Sequence, residues 1–576
     1  MSQTRKTNNH LAKSFTGMAE VNAETIPLRI RIGVTGHRTL SDEPMLAGRI
    51  REALDSKIFE LFDAKSKTIL STIEHTPITF IVLSPLAEGA DRLVAREVLK
   101  SENRDPRLEV VLPMVKEDYL QDFDSAESRL EFEELFNKAR RPVTLREKKL
   151  PEEFPQIDLG EARRKAYQDV SRYIVDNCDV LIALWDGRES RGKGGTAETV
   201  NYAKTKNRPI IHILTLAPFN ISVLAGNGLN AMSIHNIELF NAFSVPEETN
   251  HLYVENVFNS LFNNPEGEQI SDETKRTIRE KLLPFYVKAS IIAKFHQKFY
   301  QRAGLLIYSF SALAVAAVAL AILVHQWAFY AFSFEFLLLL VIFLTVVFAD
   351  RKGTHKKWIE NRFLAERIRS SIFFAVCGVE SSPIRIPQYM MIAHRPDDWM
   401  VKVFFDIWNR LPAMIGCQGQ QCRIFISYIR KHWLQDQINY HRNKAGKAKR
   451  ISSALETAGK IAFFSAMTAA LLHLFLLYLG EGFNALILNN ALSFVALVMP
   501  AVGAAIGGIR THREYSRLEK RSYNMSAALQ ELDGRFSNIH EADELERILR
   551  DIEELMLRET QDWLMLMRFV KLEAAA

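Results

Sequence analysis

The sequence predicts an α/β domain with an open, mostly parallel sheet, followed by an all-α membrane domain with four transmembrane helices in two repeated hairpins. Three observations predict it. Short β-rich apolar segments alternate with helix-length stretches as far as about Ile213, long uncharged runs mark the second half, and 576 residues exceed what one core organises. A net charge of only +5 gives no global electrostatic case for nucleic-acid binding. Cys178, Cys377, Cys417 and Cys422 lack CxxC spacing, so neither a zinc site nor a disulfide framework is expected. The opening MSQTRKTNNHLAKSFTGMAE is polar, has no apolar run suited to a signal peptide, and reads as a flexible tail over residues 1–26.

The segments LRIRIGV, ITFIVL, LEVVLP, DVLIALW and PIIHIL are the expected strands of a domain spanning 27–220, with a linker of short helices over 221–271. The first membrane module covers 272–395. Its spans, about 304–324 and 328–349, each supply roughly the 20 apolar residues a crossing helix needs, and the polar HQW between them makes a tight turn. A helical connector (396–440) leads to the second module (441–576), with spans at about 461–479 and 485–509 around GEGFN. Lys294, Lys298 and Arg302 precede the first span and Arg351, Lys352, Lys356 and Lys357 follow the second, whereas the turns inside both hairpins lack Lys and Arg. The second hairpin repeats this pattern, so both termini are expected in the cytoplasm. THKKW after the second span matches THREY after the fourth, which reads as an internal duplication. Charge-rich flanking stretches are expected to continue the spans as long cytoplasmic helices. Glu335, His473, Asn489 and Asn490 are costly in lipid, and Gly503 with Gly507 has GxxxG spacing for close helix contact.

Chemistry concentrates at three expected strand ends. IGVTGHR places Gly33, Thr35, Gly36, His37 and Arg38 where the first strand turns, with backbone N–H groups available to an anion. The second strand leads through Glu88, Gly89, Asp91 and Arg92 into an amphipathic helix. The fourth ends at Trp185 and Asp186; after a basic loop with Arg191 and Lys193, Gly194, Gly195, Thr196 and Glu198 open another helix. Ligands of open parallel sheets bind at the carboxyl edge, so these turns read together as a phosphate-holding crevice. GxxxxGK[ST] is absent, which argues against ATP-driven work.

The combination GVTGHR, EGADR and GGTAET resembles the SLOG superfamily, Rossmann-like nucleotide-binding domains related to DNA-processing A proteins and LOG phosphoribohydrolases, over about residues 27–215. The repeated hairpins are similar in architecture to the SLATT membrane modules that accompany such domains in bacterial conflict systems. This resemblance implies a multi-pass protein of the bacterial inner membrane that senses a nucleotide second messenger, such as an ADP-ribose derivative, and opens an oligomeric pore or disrupts the bilayer in antiviral defence. It needs no cofactor. LOG-type enzymes carry a catalytic glutamate in PGGxGTxxE, but here Thr199 occupies that position and Glu198 lies one residue earlier. Binding is therefore favoured over hydrolysis, with a membrane-anchored phosphoribohydrolase-like enzyme or a constitutive channel with a regulatory domain as alternatives.

Overall fold

A computed structural model of the chain describes residues 25–101, 104–139, 142–146, 158–188, 195–224, 226, 229, 232–378, 399–412, 421–479, 483–536 and 542–568. The reading of a tail over 1–26 lies almost wholly outside them. Two compact units divide the chain, Met1–Ser244 and Val245–Ala576.

The first unit is built on a seven-stranded sheet of β1 (Leu28–Gly36), β2 (Ile78–Ser84), β3 (Arg107–Leu112), β4 (Val143–Thr144), β5 (Val180–Trp185), β6 (Ile210–Leu214) and β7 (Ile221–Val223). The order is β4-β3-β2-β1-β5-β6-β7, parallel except for β7 against β6. Every residue of β2 is buried, as an unbroken apolar run requires when both sheet faces are covered. Successive side chains point to opposite faces, so Ile182 and Leu184 enter one core while Leu181 and Ala183 enter the other.

On the first face lie α1 (Glu43–Glu52), α2 (Ala64–Leu70), α3 (Ala90–Leu99) and α4 (Ala126–Phe136); α5 (Leu159–Asn177) and α6 (Thr196–Thr205) contribute Ile174 and Val200 to the other. The chain builds outward from β1 to the edge strand β4, and α5 then returns it to β5 on the opposite side of β1. Strand order therefore reverses between β1 and β5. The stretch read as linker also contributes to this unit, through β7 and α7 (Met232–Ala242).

The second unit is helical. After α8 (Glu247–Phe262) and α9 (Asp272–Lys281), α10 (Leu283–Leu323) runs unbroken for 41 residues, and α11 (Ala328–Arg351) returns antiparallel after the turn at His325–Trp327. α12 (Thr354–Cys377), α13 (Trp399–Trp408) and α14 (Gln421–Ile429) lead to the second hairpin, α15 (Asp436–Leu479) and α16 (Phe483–His512). α17 (Tyr515–Arg535) and α18 (Ala542–Arg568) follow. Among the described residues, four helices are long and apolar enough to cross a membrane. Phe329, Phe336, Phe343, Leu471 and Tyr478 on these hairpins stand more than 60 % exposed, a surface suited to lipid rather than water.

The flanking helices continue the spans without interruption, because α10 and α15 carry basic and apolar halves in single rods. In the first module, Gly353 in the left-handed region (φ 56°) breaks the chain just before Thr354; in the second, Glu514 (φ 51°) breaks it just after Thr511, His512 and Arg513. The matched motifs therefore sit on opposite sides of their helix breaks. His355 and His512 nonetheless pack on one ring, that of Tyr300, with centroids 4.4 and 4.6 Å away. His473 in α15 meets Ser493 of α16 at 3.5 Å, tying the second hairpin together.

The glycines that bring helices closest differ from the GxxxG expectation. Gly503 faces Ala462 at 3.6 Å and nothing lies within 4 Å of a side chain built at Gly507, whereas one at Gly508 would overlap the Tyr308 ring and one at Gly304 the His512 ring. The tight contact thus joins α10 to α16, between hairpins. Gly508→Val is expected to lower the thermal unfolding midpoint of the full chain in detergent, at a cost of about 1–3 kcal/mol for overpacking. Gly507→Val should leave it within about 0.5 kcal/mol.

Candidate functional site

At the carboxyl edge of the sheet, where strand order reverses, the first unit holds a cleft of about 740 Å³. Its floor is the end of β1, Val34 to Arg38; Pro85 and Ala87 after β2 form one side, Trp185 and Asp186 after β5 another. The start of α6 and one face of α5 close it.

Of the expected residues, Thr35, Gly36, His37, Arg38, Asp91, Trp185, Gly195 and Thr196 line this cleft. Gly194, with Arg191 and Lys193, lies outside the described residues. His37 is fixed by its backbone, whose N–H donates to Leu184 O at 3.1 Å and whose carbonyl accepts from Ala90 at 3.0 Å. Its Nε2 stands 3.2 Å from the Asp186 N–H and 3.3 Å from Asp186 Oδ1. A neutral ring accepts from the N–H; a protonated one donates to the carboxylate; one nitrogen cannot do both at once. Partial burial resists charge on Asp186, yet the Arg188 N–H and the His37 ring hold its carboxyl below the usual range. Trp185 packs on His212 with centroids 5.5 Å apart and leaves part of its indole at the cleft.

Five expected ligand contacts do something else. Gly33 is a packing glycine, since a Cβ there would press on Ile174 and Cys178 of the α5 end. Gly89 takes φ 74° and passes so close that a side chain would overlap the Arg38 carbonyl, which makes it a crossing point of two loops. The Ser128 hydroxyl donates to Glu88. Arg92, 2 % exposed, donates from Nε to Leu86 O at 3.0 Å and from one terminal nitrogen to Ser128 and Glu131 at 2.9 Å, and it covers the Phe123 ring. It is thus committed to clamping α3 to α4. Glu198 accepts from the Gln168 side-chain amide and turns toward α5, while Thr199 takes the place on the cleft wall. Helical spacing of one residue is enough to separate them.

The two helix starts also differ. At α3 the Ala90 N–H is taken by His37 O, and Asp91 fills the first turn. At α6 Gly195 has no side chain to cap the helix, and Gly195, Thr196 and Ala197 line the cleft, so the positive end of the helix dipole faces it. Asp91 is buried, and burial pushes its carboxyl up to about 7 against the Ala87 N–H and the Arg38 and Arg92 charges. Near neutral pH it carries only part of a negative charge.

The helix-length stretch that forms α5 supplies cleft residues absent from the sequence expectation. Arg164, Tyr167, Ser171 and Ile174 recur at three- and four-residue spacing and line the cleft together. The Tyr167 hydroxyl donates to Asp122, and Arg38 reaches that hydroxyl at 3.4 Å. The pattern was present in ARRKAYQDVSRYI, as a polar stripe of arginine, tyrosine and serine on a helix returning to the switch point. Arg38, Arg164 and Arg188 thus surround a cleft whose carboxylates are Asp91 and Asp186.

Among the described residues no group of His, Cys, Asp or Glu is arranged to hold a metal ion. No protein-family model matches the chain, and no curated protein matches it.

The division between clamping and facing arginines is measurable. Arg92→Ala leaves the buried Leu86 carbonyl and Ser128 without their donor, although Arg96 still holds Glu131, and is expected to destabilise the first unit by about 2–3 kcal/mol. Arg38→Ala should cost less than about 1 kcal/mol. Protease-resistance titrations of both full-length variants check this.

Proposed function

We propose that the protein is a membrane-anchored sensor. Its Rossmann-like, SLOG-like first unit binds a phosphate-bearing nucleotide, such as an ADP-ribose derivative, and binding drives an oligomer of SLATT-like apolar hairpins to open a pore or disrupt the bilayer, as in antiviral defence. The observation that carries the reading is the start of α6, Gly195 to Ala197, lining a cleft at the strand-order reversal. Open parallel sheets hold nucleotides in this place. The cleft volume suits a ligand of that size. A phosphate sits against the α6 N–H groups, Arg38 and Arg164 offset its charge, and Trp185 stacks on the base. Thr35 and Thr196 offer hydroxyls for the remaining oxygens.

Four helices enclose little space by themselves, so a conducting form requires several copies. Glu335, Asn489 and Asn490 are its polar wall. The ligand must favour one assembly or conformation over another, because equal affinity for both shifts nothing. The topology with both termini in the cytoplasm of a bacterial inner membrane puts the cleft where such a nucleotide is made.

A hydrolytic alternative draws on Asp91, a cleft carboxyl poised near neutrality, as general acids and bases are. Against it, Glu198 is bonded to Gln168 and Thr199 holds the wall.

Calorimetry of the full chain in nanodiscs against cyclic nucleotides, cyclic oligonucleotides and ADP-ribose derivatives tests the reading. At least one should bind, with Arg38→Ala and Gly195→Asp each weakening it tenfold or more, about 1.4 kcal/mol. Vesicles should leak only when that ligand is added; leakage without it marks a constitutive channel, and no binding across the panel sinks the sensor. Affinity should fall as pH rises through about 7, because Asp91 then ionises beside the ligand's phosphate, and Asp91→Asn should flatten that fall. Nucleoside monophosphate hydrolysis abolished by Asp91→Asn would establish the enzyme instead.

A further inference from the structure

The second unit contains a cavity of about 430 Å³ that none of the sequence motifs announced. It lies among the basic halves of α10, α12 and α15 and the junction of α16 with α17. Lys294, Arg362, Arg369, Lys444, Arg513 and Arg521 line it, and the carboxylates on its wall are Glu366 and Glu514.

These two acids do not balance the cations. Glu366 is held by Arg369 at 2.7 Å and lies 3.9 Å from Arg362, and Glu514 pairs at 3.1 Å with Arg517, which is not on the wall. Among the described residues, the Arg513 guanidinium reaches only the neutral Gln301 carbonyl, at 3.3 Å. The surplus is felt by neighbouring groups. Burial alone raises the Tyr440 phenol, yet Lys444 and Arg362 bring it below its usual value; burial alone raises Glu366, yet Arg369 and Arg362 bring it below the usual range.

One neutral donor completes the picture. Tyr300, a residue of the cavity wall, is 2 % exposed, its ring is held by His355 and His512, and its hydroxyl is buried behind the wall with no hydrogen-bond partner among the described residues. Buried hydroxyls without partners are uncommon in folded proteins. An anion seated among the arginines supplies the missing acceptor.

We infer that this cavity is a second, separate anion site, which takes a phosphate group. The group comes from a lipid headgroup or from a soluble phosphate. Tyr300 stands one helical turn, roughly 6 Å, before Gly304, where the apolar run of α10 begins. That level is where headgroup phosphates lie beside a spanning helix, and arginine and lysine are the side chains that bind them. The inference is independent of the ligand cleft in the first unit.

Thermal unfolding of the full chain in phosphatidylcholine nanodiscs separates the sources. One arm adds inorganic pyrophosphate, and the other dopes the disc with phosphatidic acid. In at least one arm the midpoint should rise by roughly 4 °C or more. Tyr300→Phe keeps the ring and removes only the donor, so it should fold as the parent does while losing at least half of that rise. Arg513→Gln should do the same. Arg38→Ala, which weakens only phosphate binding at the first cleft, should keep most of the rise. A rise with pyrophosphate identifies a soluble ligand, and one with phosphatidic acid a lipid. The inference is overturned by no rise in either arm, by a rise that Tyr300→Phe and Arg513→Gln both retain, or by a rise that Arg38→Ala removes.

Discussion

The first unit depends on two loops passing at van der Waals limits. The turn after β1 and the start of α3 cross so closely that Gly89 admits no side chain, and the Ala90 N–H finds the His37 carbonyl at 3.0 Å. Gly36 is constrained from its other side, with the Leu184 carbonyl 2.7 Å from where a Cβ would stand. This crossing fixes the height of Arg38 and the ring of His37 above the sheet. It also buries Asp91, whose carboxyl loses hydration there. Cleft geometry and cleft charge thus share one origin, the absence of two side chains.

Arginine does two different jobs in this protein, separated by where its hydrogen bonds go. Arg92 gives Nε and one terminal nitrogen to Leu86, Ser128 and Glu131 and lies over Phe123, which makes it part of the core. Arg38 and Arg164 lie on the cleft wall with no carboxylate bonded to either guanidinium among the described residues. The second unit repeats the distinction, with Arg369 bound to Glu366 and Arg513 bound only to a carbonyl. A guanidinium carries its charge in both settings, so the sign of local charge says little about availability.

The elements that bury continuous or periodic apolar surface were legible in the sequence. All five anticipated strands form, and all four apolar runs lie within the long helices α10, α11, α15 and α16. The strands β4 and β7, two and three residues long, carry too little pattern to be read and exist because a neighbouring strand offers an edge. In the cleft, Gly36, His37, Arg38 and Gly195 were legible because turn chemistry at a strand end is local. Glu88, Arg92 and Glu198 were not, because their directions are set by Ser128, Glu131 and Gln168, distant in sequence. Arg164 and Tyr167 were hidden for the opposite reason: a polar helical stripe looks the same whether it faces bulk water or a cleft.

The displaced helix break in the two modules has a further consequence. The motifs Thr354–His355 and Thr511–His512 match in sequence, but Gly353 bends the chain before one and Glu514 after the other. His355 therefore belongs to the first turn of a new helix and His512 to the last turn of an old one, although both rest on Tyr300. The two hairpins are alike in composition, yet the helix break falls at different places relative to the shared motif. Were copies to join through these unlike ends they would meet head to tail, a contact that closes into a ring only where its rotation does.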